Sequence, residues 1–158
     1  MLIIRQVKSN FMARILYWHL TPQEVLAKPY PVDKLLHWEI RCILSAESYS
    51  SLYWFKAGVP YDKEPILGLA FYANGVSKGL EDEMIEFIHA RVGGRLMRRG
   101  ERTFFAYARA GIDNEYIARL ALSMEAKFNA RCEIWLEFDL LNDDEVKSLY
   151  TAKAVPIA

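Results

Sequence analysis

A chain of 158 residues with 53% hydrophobic and 25% charged side chains can bury one sizeable core, which excludes a disordered protein. Twenty basic residues balance twenty acidic ones, so no global field draws the chain to nucleic acid or to an anionic membrane. No apolar run approaches a membrane span, and the N-terminus lacks the charge-then-apolar order of a signal peptide.

In chain order, Met12 is an alternative start, which would leave residues 1–11 as a tail. Residues 11–20 read as a strand ended by Thr21-Pro22, and Pro29 and Pro31 bracket a loop. Leu36, Trp38, Ile40, Cys42 and Leu44 alternate with Leu35, His37, Glu39, Arg41 and Ile43, the period of a strand with two distinct faces. Residues 48–56, with Tyr49, Tyr53, Trp54 and Phe55, read as its hairpin partner. Gly58, Pro60 and Pro65 punctuate the loop that follows.

Residues 66–139 then read as strand, helix, strand, strand, helix, strand. The helix at 79–92 turns Leu80, Met84, Phe87 and Ile88 inward, opens on Glu81, Asp82 and Glu83, and stops at Gly93-Gly94. Strands 95–98 and 102–110 meet at a tight Arg99-Gly100-Glu101 turn. The helix at 113–129 carries Tyr116, Ile117, Leu120, Met124 and Phe128 on one stripe. Asp113 is its N-cap, and Ile112 and Ile117 form a hydrophobic staple. In strand 131–139, Cys132, Ile134, Leu136 and Phe138 face the core, opposite Arg131, Glu133, Trp135, Glu137 and Asp139. Residues 142–153 predict a short helix capped by Asn142 or Asp143.

The expected fold is α+β: a single domain over residues 1–158 with a ferredoxin-like βαββαβ sandwich at 66–139. N-terminal strands within residues 1–60 would extend or cover the sheet, and a short C-terminal helix would follow it. In that sandwich strands 66–74 and 102–110 are adjacent and antiparallel. Cys42 and Cys132 fall on apolar strand faces and are expected as buried, reduced thiols, which implies a cytoplasmic location.

Gly79-Leu80 opening an acidic helix, Gly94-Arg95-Leu96 leading to a glycine turn, and the strand Arg102-Thr103-Phe104-Phe105-Ala106-Tyr107 form a pattern. With Glu137-Phe138-Asp139 and Tyr150 downstream, residues 65–150 resemble a bacterial family of unassigned function. That family is grouped with the ribonuclease E inhibitor, regulator of RNase activity B. The resemblance implies a ferredoxin-like fold and action by binding another protein. The neutral charge of this chain departs from that inhibitor, and no functional residue carries over, because the resemblance supplies no site motif.

The chemistry-bearing residues define few constellations. His19, His37 and His89 share no metal-ligand spacing, and Asp82, Glu86 and His89 read as a solvated helix face. His37 and Glu39 share a strand face, compatible with an acid–base pair or with a solvated strand edge. Nucleophile and phosphate-loop motifs are absent. Arg91, Arg95, Arg98, Arg99 and Arg102, with Phe104, Phe105 and Tyr107, suggest an RNA platform, but Thr103 and Phe105 break that module's pattern.

The better candidate is the sheet face away from the helices, on which Tyr72, Phe105, Tyr107, Arg109 and Trp135 are placed, residue types of binding hot spots. The alternative is that N-terminal strands or a second copy cover that face. The function expected is therefore a non-catalytic regulator or inhibitor that binds another protein, an RNA-processing enzyme or a toxin. The other reading is a module binding a small ligand or RNA on the aromatic face. A homodimer is compatible with either; no cofactor, metal or membrane partner is expected.

Overall fold

The computed structural model describes residues 3–9, 12–27, 35–55, 60–61, 64–65, 68–106, 113–138 and 144. Its elements run β1 (Ile3–Ser9), β2 (Met12–Leu20), α1 (Pro22–Leu26), β3 (Leu35–Ile43) and β4 (Tyr49–Phe55). There follow β5 (Pro60–Tyr61), β6 (Glu64–Pro65), β7 (Gly68–Asn74), α2 (Lys78–Val92), β8 (Arg95–Arg99), β9 (Arg102–Ala106), α3 (Asn114–Phe128) and β10 (Arg131–Phe138). Residues 3–9, expected as a tail, are a strand paired with β2. The predicted helix at 142–153 and the Ile112 half of the staple lie outside the described residues, apart from Asp144.

Eight strands form one antiparallel sheet in the order β1-β2-β10-β3-β4-β7-β9-β8, beside a small β5-β6 pair. β7 and β9 are adjacent and antiparallel, with Leu69 opposite Phe105. A ferredoxin-like sheet would also place β10 beside β7. Here β3 and β4 stand between them, so that expectation is corrected. The cause is the β3 side-chain pattern: Cys42, Ile40 and Trp38 stand opposite Cys132, Ile134 and Leu136, giving β10 a matched apolar ladder. The N-terminal strands extend the sheet, with β2 on the far side of β10.

One cluster joins the inward strand residues to the helices. Trp38, Ile40, Leu52, Leu69, Phe71, Phe105 and Leu136 pack with Met84 and Ile88 of α2, Ile117 and Met124 of α3, and Val25 of α1. Each large aliphatic side chain so buried contributes roughly 1.5–3 kcal/mol. Asp113 caps α3, its Oδ1 accepting the Tyr116 N–H at 2.8 Å, and Ser77 caps α2. α2 ends at Gly93 with φ at +70°, a conformation that side chains with a Cβ rarely adopt.

The short α1 has the capping box that Thr21 and Glu24 spell out: Thr21 Oγ1 accepts from the Glu24 N–H, and the Glu24 carboxylate accepts from the Thr21 N–H. Asn114 Nδ2 donates to the Val25 carbonyl at 3.2 Å, tying α3 to α1. With all three helices on one side, the residues alternating with the core on β4, β3 and β10 look the other way.

Candidate functional site

Register places that second face in rows. Tyr53, Glu39 and Trp135 stand side by side across β4, β3 and β10, and Ser51, Arg41 and Glu133 form the next row. His37 stands opposite Glu137. The His37 ring is T-shaped to Trp135 at 5.9 Å between centroids and stacks with Tyr53 at 6.3 Å. Trp135 is half-buried. Arg41 lies over the Tyr49 ring, 5.3 Å from its centroid.

Beside Trp135 the β2 ladder is irregular. Ile134 pairs with Leu20 but Leu136 pairs with Tyr17, so β2 holds one residue more than β10 over this stretch. His19 lies in that bulge with φ at +56°, the left-handed region, which histidine enters more readily than most residues. The kink aims its imidazole along the face, where Nδ1 lies 3.0 Å from Glu133 Oε2. Arg131 Nη1 holds the other Glu133 oxygen at 3.1 Å. The bulge opens a recess of about 260 Å³, mouth included, lined by His19, Glu39, Arg41, Glu133, Ile134 and Trp135.

Glu39 is the unusual member of this set. It is only 3% exposed, and its Oε1 receives no hydrogen bond among the described residues. Among the described residues the nearest cation, Arg41 Nε, is 3.9 Å away, an ion-pair distance beyond hydrogen-bond reach. Burial pushes the Glu39 carboxyl above the usual glutamate value, against the opposing pull of the Ser51 hydroxyl and the Arg41 charge. Burial likewise lowers His37 below the ordinary histidine value, and His37 Nδ1 makes no hydrogen bond among the described residues.

The expected binding residues divide as follows. Trp135 and Tyr72 lie on the face away from the helices, Tyr72 opposite Ser51 on the β4 side of the sheet. Phe105 does not: it is fully buried, shares the inward phase of Leu69, and its ring lies 6.2 Å from His89 of α2. Its assignment to the open face is therefore corrected. Tyr107 and Arg109 lie outside the described residues. The solvated-edge reading of His37 and Glu39 also fails, because β3 is an interior strand and Glu39 is buried. His37 sits beside the recess and is not among its lining residues.

The arginine cluster is partly engaged within the fold. Arg98 Nη2 lies 2.6 Å from Asp82 Oδ1, and the Arg91 guanidinium lies 3.5 Å from the Phe87 ring centroid. His89 Nε2 contacts the Gly94 carbonyl at 2.9 Å, at the end of its own helix. Among the described residues no group of three His, Cys, Asp or Glu could hold a metal ion, and no helix is long and apolar enough to cross a membrane. Sequence reasoning missed His19, Glu39 and Arg41 as one site with Trp135. Their juxtaposition depends on the β10–β3 and β10–β2 pairings, which join residues about 90 or more positions apart. The comparisons add no relative: no family model, curated protein or solved structure matches the chain.

Proposed function

We propose that this protein is a non-catalytic regulator that binds another protein through the β4–β3–β10 face. The observation that carries the reading is the half-buried Trp135 within an aromatic cluster with His37 and Tyr53, on the side from which every described helix is absent. Tryptophan and tyrosine at the centre of a mixed polar and apolar patch are what interface hot spots use. The target we propose is an RNA-processing enzyme or a toxin; the resemblance implies only action by binding another protein. A cytoplasmic location is part of the proposal and rests on the two buried thiols of Cys42 and Cys132.

A small-ligand module is the second reading, favoured by the recess beside Trp135. The RNA variant of it loses support with Phe105 turned into the core, since base stacking needs exposed rings.

The test is Trp135→Ala. As a hot spot, the substitution should weaken binding to proteins captured from the native host by about 2 kcal/mol or more while leaving the denaturant midpoint nearly unchanged. Undiminished capture would overturn the reading. A stability loss of about 3–5 kcal/mol would also do so, because it would make Trp135 a packing residue. Sedimentation of both proteins checks self-association: a dimer lost in the variant assigns the face to a second copy of this chain.

A further inference from the structure

We propose that Cys42 and Cys132 are a redox pair, which a small disulfide such as oxidised glutathione converts into a reversible bridge locking β10 to β3. The pair lies on the helix side of the sheet, so the proposal does not depend on the protein-binding face.

Register supplies the geometry. Cys132 stands directly opposite Cys42 across the antiparallel β3–β10 ladder, and both side chains belong to the core cluster. The backbone shows which kind of opposed pair this is. Cys132 N–H donates to Glu125 Oε2 at 2.8 Å, a side chain of α3, and not to β3. The N–H and C=O of one strand residue point to the same side, so Cys132 and Cys42 do not exchange backbone bonds. They form a non-hydrogen-bonded pair, in which the side chains approach most closely and the Cα atoms lie about 4.5 Å apart. A disulfide spans Cα separations of about 4.4–6.8 Å, so the strands need not part to accept one.

The thiols also meet at their sulfur ends. The Cys132 thiol holds Cys42 below the usual thiol value against the effect of burial, and the Cys42 thiol holds Cys132 above it. Bridging adds no atom to the core and removes two hydrogens, so it requires no cavity. A separation at the short end of the usual range makes the bridge reducible by small thiols, which suits a transient, sensing disulfide.

Neither thiol is reached in the closed fold, at 0% and 1% exposure, so exchange begins when the chain opens. One cysteine thiolate attacks the small disulfide, whose S–S bond breaks and whose released half leaves as a thiol. As the strands pair again, the second cysteine attacks the mixed disulfide, forms the Sγ–Sγ bond and expels the other half. Two thiol protons and two electrons thus pass to the oxidant, which leaves as two thiols. The bridge closes a loop of about 90 residues and so penalises reopening.

The test equilibrates the full chain in glutathione buffers of graded ratio, once folded, with dilute urea to speed opening, and once fully unfolded in urea. Acid quenching, alkylation and intact mass then count bridged and dithiol chains. The folded protein should become a monomer two hydrogens lighter, carrying no glutathione. Its ratio of bridge to dithiol should be at least about tenfold above that of the unfolded chain. By linkage, the oxidised protein should have a higher urea midpoint, which a reducing thiol returns to its starting value.

An equal or lower ratio in the folded chain overturns the proposal, as do a lowered midpoint, linked dimers or persistent glutathione adducts. Cys42→Ala and Cys132→Ala should each abolish the redox dependence of the midpoint, and its survival in either also overturns it. Should a variant fail to fold, the comparison of folded and unfolded native chain decides the question without it.

Discussion

Glu39 and His37 are two residues apart on one strand face, and burial shifts them in opposite directions. Glu39 binds its proton more tightly folded than unfolded, so its contribution to stability falls as pH rises from the ordinary glutamate value through its raised folded value. His37 binds its proton less tightly folded, so its contribution falls as pH drops from the ordinary histidine value toward its lowered one. The two windows run toward each other and offset in the native protein. Urea midpoints across this range should separate them: Glu39→Gln exposes a loss of stability on acidification, and His37→Gln exposes a gain. Superimposable profiles would mean that neither group is as buried as the fold places it. The inward phase of β10 was legible because its residues alternate strictly, whereas β9 has Phe104 and Phe105 side by side and the pattern cannot choose a face.

Helices were readable where a cap met a periodic stripe. Asp113 caps α3 through the Tyr116 N–H, and the stripe of Ile117, Leu120 and Met124 is buried. Asp113→Ala should cost about 1 kcal/mol, and Asp113→Asn much less, because asparagine also accepts from a helix N-terminus. Thermal or urea unfolding of the pair checks it; equal losses would make the carboxylate charge, and not the cap geometry, responsible. α1 went unread despite Thr21 and Glu24, since five residues are too few to display a helical period. The β3–β4 and β8–β9 hairpins join neighbours in sequence, so alternation and a turn were enough to reveal them.

Strand order across the whole sheet is a different kind of information, because it depends on contacts between distant segments. The β7–β9 adjacency follows from the βαββ run, but nothing local announces that β3 and β4 enter between β7 and β10. Cys42 and Cys132 record the consequence: they stand directly opposite one another in the middle of the core. The neighbouring Cys42 thiol, and then burial, hold Cys132 well above the usual thiol range, so it stays protonated. Labelling of both should require global opening and proceed at one common rate that rises with denaturant as stability falls. Fast labelling of one alone would place that strand outside the cooperative unit.

The position of β10 also has a consequence for synthesis on the ribosome. Among the described pairings, the β1–β2 hairpin reaches the rest of the sheet only through β10. Until residues 131–138 emerge, the growing polypeptide holds two incomplete pieces, β1–β2 and β3-β4-β7-β9-β8. The facing edges of β2 and β3, both made early, have no partner in either piece. Such edges invite pairing with other nascent chains, so a polypeptide stalled at Ala130 should associate or recruit holding chaperones. A few more residues would remove both liabilities at once.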